Sequence, residues 1–258
     1  MGAKTLIIRT AGTNCDQETK FAFEQAGSEV TLLHINRVNE NPSVLDEYQI
    51  LALPGGFSYG DDIASGKVLA NELLQGLADQ LKKFVDDGKL VIGICNGFQV
   101  LVKTGLLPGP FDRDTKQTVT LTFNDSNKFE DRWVYLRADS DKSPFIKKGE
   151  VIYLPVAHGE GKFLAKDDAT LDAVRDNGQI VFRYVDADGN DGCAYPMNPN
   201  GSVDGIAGIC DTTGRVLGLM PHPERHILPT QHPRWTRDGL AGEGDGMQMF
   251  RNAIQYFA

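Results

Sequence analysis

The chain has 258 residues, 41% of them hydrophobic and 24% charged, a composition typical of a globular protein with a substantial core. Its net charge of −9, from 26 basic and 35 acidic residues, argues against nucleic-acid binding, and no basic cluster offsets it. Because the sequence shows neither a signal-peptide pattern nor a long apolar span, we expect neither secretion nor a membrane partner.

The first half of the chain alternates strand-like and helix-like segments. A helix is predicted after Asn14, a residue suited to the N-cap position, and it stops at Gly27. A long amphipathic helix at residues 68–87 ends at Gly88. Strands are predicted at residues 5–10, 30–35, 49–53 and 90–94. This alternation predicts an α/β fold with a doubly wound, mostly parallel sheet and right-handed crossovers.

Cys95 stands where a predicted strand turns into a predicted helix. The helix begins at Asn96, and Gly93 and Gly97 flank the cysteine two positions away on either side. This is the G-x-nucleophile-x-G pattern, in which glycines let strand and helix approach closely. The free N–H groups at the helix N-terminus favour a thiolate there. On the local pattern alone, a buried and inert cysteine stays open as the alternative.

A Pro-Gly-Gly turn at residues 54–56 follows the third predicted strand. Such a tripeptide is first of all a turn signal. However, the third strand and the Cys95 strand end at the same edge of a parallel sheet, which is where ligands bind. Backbone N–H groups of Gly55 and Gly56 are therefore placed to stabilise an oxyanion beside Cys95.

His222 lies between two prolines after the last predicted strand. Pro221 and Pro223 prevent a regular helix through His222, which excludes a helical metal-binding pair with His226. Glu224, two residues on, can reach the imidazole ring and orient it, as the base of a catalytic triad requires. The alternative is a lone histidine in a rigid loop.

Beyond Gly105 the pattern changes to short strands separated by turns. These strands are predicted at residues 118–123, 132–137, 151–156, 179–184, 203–209 and 216–220, and a C-terminal helix at 247–257. We interpret them as a β-rich addition to the parallel core, within one domain spanning residues 1–258. Residues 186–192 faintly resemble a calcium loop, but Tyr195 stands where that loop needs an acidic residue, so no metal site is predicted.

The cysteine spacing indicates a reducing compartment. The chain has four cysteines and no C-x-x-C pair: Cys15, Cys95, Cys193 and Cys210. This wide spacing fits free thiols in the cytoplasm and argues against a disulfide framework or a zinc site. We therefore expect a cytoplasmic protein.

Three motifs taken together resemble those of the triad-type (class I) glutamine amidotransferases: residues 54–56, 93–99 and 221–224. Within that family, the chain is most similar to the glutaminase component of phosphoribosylformylglycinamidine synthase. The blocks that carry this closer resemblance are residues 55–61, 95–97, 156–161, 195–202, 205–208 and 220–225. They span most of the chain, and its length resembles that of the free-standing subunit. The resemblance implies a flavodoxin-like sheet.

The resemblance also implies a reaction. Cys95 attacks the side-chain amide of L-glutamine, His222 shuttles protons, and Glu224 orients His222. The oxyanion is held by N–H groups near Gly56 and of Asn96, ammonia leaves, and the glutamyl thioester on the cysteine is hydrolysed to glutamate. The other implied pocket residues are Gly55, Gln99, His158 and Glu160, of which the last two lie near one end of glutamine or at a partner surface.

The resemblance further implies that the ammonia passes to a synthetase that uses ATP and formylglycinamide ribonucleotide in purine synthesis. We expect no cofactor in this chain itself. Residues 60–67 resemble a P-loop but have one residue too many between the glycines, and Val68 replaces the required Ser or Thr. ATP and Mg²⁺ are therefore expected on a synthetase partner, and the resemblance implies a small accessory subunit as well.

Two alternatives stay open. A hydrolase or deglycase of the DJ-1/PfpI type uses a similar strand-to-helix turn, but such proteins usually have a histidine directly after the nucleophile, where this chain has Asn96. The second alternative is a degenerate glutaminase domain kept as a scaffold. A scaffold would be expected to have lost Cys95, His222 or Glu224, and all three are present.

Overall fold

A computed structural model describes residues 2–112, 116–191 and 194–258 of the chain. Its strands are β1 (Lys4–Arg9), β2 (Glu29–His34), β3 (Ile50–Leu53), β4 (Leu90–Ile94), β5 (Val119–Thr122), β6 (Glu130–Ala138), β7 (Val151–His158), β8 (Lys162–Ala165), β9 (Ile180–Val185), β10 (Ile206–Cys210) and β11 (Val216–Leu219). Its α-helices are α1 (Asp16–Gln25), α2 (Ile35–Glu40), α3 (Lys67–Asp86), α4 (Asn96–Thr104), α5 (Asp168–Asp176), α6 (Trp235–Asp238) and α7 (Met247–Gln255).

A nine-stranded sheet forms the centre of the molecule, in the order β2-β1-β3-β4-β11-β10-β9-β6-β7. From β2 to β11 the neighbouring strands run parallel. Every residue of β3 and β4 is buried, as is usual for the central strands of a doubly wound sheet. The predicted fold class is confirmed.

The β-rich second half continues the same sheet. From β11 through β10, β9 and β6 to the edge strand β7, all pairings are antiparallel. Only β5 and β8 leave it, and they pair with each other as a separate two-stranded sheet. Most of the predicted β-rich addition therefore extends the central sheet and does not form a separate layer.

Many predicted element boundaries are wrong by one to three residues, and two of them have a clear physical reason. The first helix does not use Asn14 as its N-cap, because Cys15 occupies that position and makes no side-chain capping hydrogen bond. The strand predicted from residue 203 begins at Ile206. The preceding Val203–Gly205 forms a 3-10 turn in which Asp204 has a φ of 56°, a conformation that no strand contains.

Three short α-helices, α2, α5 and α6, are absent from the sequence prediction. In α5, Asp167 accepts a hydrogen bond from the Thr170 N–H at 2.8 Å, but only Leu171 and Val174 are buried. Its apolar stripe is therefore too short to be recognised by periodicity. Helix α2 follows β2 without a break, because His34 ends the strand and caps the helix with its own ring.

The topology brings three strand ends to one place. Leu53 at the end of β3 pairs with Gly93 of β4, and Leu219 at the end of β11 pairs with Ile94. The segments that follow these strands carry the Pro-Gly-Gly turn, Cys95 and His222. Within the described part of the chain, no helix has the length and apolar character needed to cross a bilayer.

Candidate active site

Cys95 lies at the tip of β4 in a strained backbone conformation. Its φ of 53° and ψ of −106° are rare for a residue with a side chain. The two flanking glycines make the turn possible. A β-carbon on Gly93 would lie 2.6 Å from the Gly97 carbonyl oxygen, and one on Gly97 would overlap the Leu53 carbonyl oxygen. Strand and helix can therefore approach only because both positions lack a side chain.

His222 and Glu224 form a buried pair beside this turn. His222 Nδ1 lies 2.6 Å from Glu224 Oε1, and both side chains are almost fully excluded from solvent. The pair is held by the 3-10 turn Pro223–Arg225 and by the His222 N–H, which donates to the Pro155 carbonyl oxygen of β7 at 2.8 Å. His222 Nε2 has no hydrogen-bond partner among the described residues, so it is free to handle a proton.

Gly55 is the point at which the nucleophile and the histidine meet. A β-carbon there would lie 2.8 Å from His222 Cε1 and 3.4 Å from Cys95 Cβ. The absent side chain thus lets the imidazole rest against the turn that carries Cys95. Cys95, His222 and Gly56 also line one cavity of about 230 Å³. The structure therefore brings together three of the sequence motifs that were predicted to meet.

The pKa of His222 is changed by its burial and by the charged groups beside it. Burial lowers the pKa of His222, but the negative charges of Glu224 and Cys95 oppose that effect and leave it well above its ordinary value. The imidazolium is therefore favoured next to a cysteine. A protonated imidazole beside a sulfur nucleophile can donate its proton to a leaving amine.

Two oxyanion donors were predicted near this cavity. Gly56 has a φ of 142° and packs so tightly that a β-carbon would lie 2.7 Å from the Asn14 nitrogen, so the turn requires glycine. Asn96 is the first residue of α4, and the N–H groups of a first helical turn have no partner within the helix. Both backbones adjoin Cys95, as an oxyanion site requires.

The remaining predicted pocket residues gather around a second cavity of about 150 Å³, which Cys95 also lines. Gln99 Nε2 donates to the Glu160 carbonyl oxygen at 2.6 Å, and Asn96 Nδ2 donates to Gln99 Oε1 at 2.9 Å. These bonds tie α4 to the loop that carries Glu160. His158 lines the same cavity from the end of β7.

Comparison with known proteins assigns the chain to a family. The model of the CobB/CobQ-like glutamine amidotransferase domain matches residues 2–257. The chain belongs to this glutamine amidotransferase family. It is 50% identical to the phosphoribosylformylglycinamidine synthase subunit PurQ of Dehalococcoides mccartyi, covering 98% of this chain and 97% of that protein. The PurQ subunit of Archaeoglobus fulgidus is 44% identical, with coverages of 98% and 96%.

Solved structures of amidotransferases agree with this assignment. A chain in the structure titled PurLQS from Thermotoga maritima matches with a TM-score of 0.76 at 34% identity, and the match covers 100% of both chains. A further glutamine amidotransferase from Thermotoga maritima matches with a TM-score of 0.53 at 16% identity, covering 99% of this chain and 91% of that one, which shows the fold alone. The family resemblance inferred from the motifs is confirmed.

The sequence analysis missed Cys15, which this amidotransferase places against its candidate triad. Cys15 Sγ accepts a hydrogen bond from Arg225 Nη2 at 3.1 Å and lies 4.0 Å from His222 Nδ1. Burial raises the pKa of Cys15, so its thiol form is favoured despite the neighbouring cations. A signal was available, since Cys15 follows the end of β1, which reaches the same edge of the parallel sheet.

Cys15, His222 and Glu224 also have possible metal-binding atoms within 4.8 Å of one another, the one such group among the described residues. The amidotransferase already uses two of these atoms, His222 Nδ1 and Glu224 Oε1, in a mutual contact of 2.6 Å. The cluster is therefore explained as a hydrogen-bonded pair with a neighbouring thiol. Cys193, one of the four cysteines assigned to a reducing compartment, lies outside the described residues.

Proposed function

We propose that this chain hydrolyses L-glutamine to glutamate and ammonia as the glutaminase subunit of a phosphoribosylformylglycinamidine synthase. The observation that carries the proposal is that Cys95 and His222 both lie against Gly55 and line one cavity, with Glu224 bonded to Nδ1 of the imidazole. The full-length similarity to PurQ subunits supports the choice of glutamine as substrate and of this synthase as the whole enzyme.

In the first half of the proposed reaction, Cys95 Sγ attacks the carboxamide carbon of glutamine, and the carbonyl oxygen becomes an oxyanion. The backbone N–H groups of Gly56 and Asn96 stabilise that charge. His222 gives a proton to the nitrogen, the C–N bond breaks, and ammonia leaves. Glu224 holds the ring so that the reactive nitrogen is Nε2, since Nδ1 is bonded to the carboxylate. The product is a glutamyl thioester on Cys95.

In the second half, water attacks the thioester carbonyl while His222 accepts its proton. The resulting oxyanion uses the same two N–H groups. When it collapses, the C–S bond breaks, glutamate leaves, and Cys95 is restored as a thiolate beside the imidazolium of His222. The raised pKa of His222 supports this resting state.

The ammonia is proposed to pass to a synthetase subunit that converts formylglycinamide ribonucleotide to formylglycinamidine ribonucleotide. ATP and Mg²⁺ would be bound by that partner, and a small accessory subunit would complete the complex in the cytoplasm. The similarity to a chain of the PurLQS structure supports such an assembly. So do three exposed aromatic side chains at the cavity mouth, Phe57, Phe123 and Phe129, because grouped exposed apolar side chains are typical of protein interfaces.

The test compares glutamine-dependent and ammonia-dependent turnover in the reconstituted complex. Cys95→Ala should abolish the first, at least a thousandfold, while the rate with added ammonia stays within about twofold. Cys210→Ala is a matched control, since it removes another buried thiol, in β10, without touching the site. It should leave both rates unchanged.

Labelling with a diazo-ketone analogue of glutamine gives a second readout. Mass spectrometry should find the label on Cys95, and competing glutamine should suppress it. Labelling that ignores glutamine would contradict the proposal and favour a hydrolase of the DJ-1/PfpI type. Loss of the ammonia-dependent rate in Cys95→Ala would instead show that the residue is structural.

A further inference from the structure

Asn124 is a buried residue that no motif identified, and its side chain is fully engaged. Its Nδ2 donates to the carbonyl oxygens of Lys128, at 2.9 Å, and of His158, at 2.8 Å. Its Oδ1 accepts from the Gly161 N–H at 3.0 Å and faces His158 Nδ1 at 3.2 Å. Asn124 thus holds both ends of the turn between β7 and β8.

These contacts determine which way the amide of Asn124 points. Backbone carbonyl oxygens only accept hydrogen bonds. The Asn124 amide atom that faces the carbonyl oxygens of Lys128 and His158 must therefore be the nitrogen of the NH₂ group. The oxygen of the amide must then face His158 Nδ1. Because that oxygen only accepts, the bond forms only if Nδ1 of His158 carries the proton. A neutral His158 is therefore protonated on Nδ1, and its Nε2 is a bare acceptor.

His158 lines the second cavity of the candidate site, and its bare Nε2 is a buried atom. It has no hydrogen-bond partner in the described ranges of the chain, although His158 lines the cavity with Cys95, Gln99 and Glu160. The ring is pressed against the backbone, since a β-carbon on Gly161 would lie 2.6 Å from His158 Nδ1 and 2.8 Å from Nε2. This close packing restricts rotation of the ring.

The charge of His158 agrees with an acceptor role. Burial, together with the nearby positive charge of His222, lowers the pKa of His158 to about 3. The ring is consequently neutral at any pH at which an enzyme of this type would work. An unpartnered buried acceptor is costly to maintain, and a ligand N–H in the cavity would remove that cost.

We propose that Asn124 is a positioning residue that holds His158 in its Nδ1–H tautomer, so that His158 Nε2 accepts a hydrogen bond from an N–H group of bound glutamine. The inference rests on the proposed function. Glutamine has two such donors, the α-ammonium and the carboxamide. Asn124 acts through His158 and touches no substrate itself.

The direct test is ¹⁵N NMR of the histidine-labelled full chain, in which His158→Gln identifies the His158 signals. In the unmodified protein, Nδ1 should show the shift of a protonated nitrogen and Nε2 that of a bare one. The pattern should shift toward Nε2–H in Asn124→Leu, which removes the acceptor. A protonated Nε2 in the unmodified protein would overturn the inference, whether or not Asn124→Leu folds.

Kinetics in the complex supply the functional readout. Asn124→Leu should raise the KM for glutamine about tenfold, the value of one hydrogen bond near 1.4 kcal/mol, with kcat within about twofold. Asn252→Leu is the control, since Asn252 Nδ2 donates to the Phe145 carbonyl oxygen at 3.0 Å, away from the site. An unchanged KM in folded Asn124→Leu would refute the acceptor role.

Glutaramate, which is glutamine without its α-amino group, distinguishes the two donors. If the penalty of Asn124→Leu vanishes with glutaramate, His158 Nε2 accepts from the α-ammonium. If it persists, the acceptor faces the carboxamide. An unmodified complex without glutaminase activity would refute the proposed function and leave the tautomer of His158 to the NMR experiment, so the two failures are distinguishable.

Discussion

Adding one methyl group at Gly55 should disable catalysis without unfolding the protein. The β-carbon of Gly55→Ala would lie 2.8 Å from His222 Cε1, whereas nonbonded carbon atoms prefer a separation of roughly 3.5–4.0 Å. The imidazole must therefore move by about 1 Å. A misplacement of that size can lower a rate about 100-fold, or about 2.7 kcal/mol in the activation free energy. We expect that loss in kcat.

The assay is glutamate formation by the reconstituted complex, measured beside ammonia-dependent synthesis. The KM for glutamine should change little, because the atoms nearest the added methyl group belong to His222, Cys15 and Cys95 and not to Gln99 or Glu160. The ammonia-dependent rate should stay at the unmodified level, since that reaction bypasses Cys95. A crystal structure of the variant should show His222 displaced from Gly55 while its bond to Glu224 is kept.

Gly2→Ala is the matched control, because a β-carbon there makes only an ordinary 3.4 Å contact with the Gly27 carbonyl oxygen. It should leave both rates unchanged. The reasoning would be refuted if Gly55→Ala kept its full kcat while the structure showed the ring displaced. Catalysis would then not depend on the position of His222, and another group would have to act as the base.

Three further predictions concern pH and stability. Glu224→Gln should lower kcat less than Cys95→Ala does. Glu224 raises the folded pKa of His222, so Glu224→Gln should lower the free energy of unfolding most below about pH 6.5. This loss should shrink as the pH rises through the folded pKa of His222, and urea unfolding at several pH values measures it. His158 has a folded pKa of about 3, so its titration alone should lower the free energy of unfolding by about 2 kcal/mol between pH 7 and pH 5. The change over this range should therefore be less destabilising by about 2 kcal/mol in His158→Gln than in the unmodified chain, and equal changes would contradict a buried neutral ring. Asn200→Ala should cost about 1–3 kcal/mol in the free energy of unfolding, because Asn200 Nδ2 bonds to the buried Gly161 carbonyl oxygen at 2.7 Å and to the Tyr184 hydroxyl at 3.0 Å. An unchanged urea midpoint would refute that estimate.

The parallel half of the fold could be predicted from the sequence because each element signals itself locally. The apolar run of β4 and the stripe of α3 need no knowledge of distant residues, and both lie within one residue of the prediction. In the second half the strands other than β8 were recognised, but their joining to the central sheet was not. Which strand β6 pairs with depends on chain segments far away in sequence, and short alternating runs do not encode that choice.

The residues of the candidate site also differ in whether the sequence alone could identify them. Cys95 and His222 carry local signatures, a glycine-flanked turn and a proline-flanked histidine. Cys15 and Asn124 carry none, and they matter only because folding brings them to partners 207 and 34 residues away, respectively. A buried asparagine with four contacts cannot be told from a surface one by its neighbours in sequence.

The edge strand β7 contacts residues that line both cavities of the candidate site. Its Pro155 carbonyl oxygen holds the backbone of His222 at 2.8 Å, its Ala157 carbonyl oxygen lies 3.8 Å from Cys95 Sγ, and it ends in His158. Only one side of β7 is paired within the sheet, with β6. A molecule that displaced this strand would move the base, the environment of the nucleophile and the pocket acceptor in one step. Hydrolysis could thus be governed from the rim of the sheet without any contact to the reacting atoms.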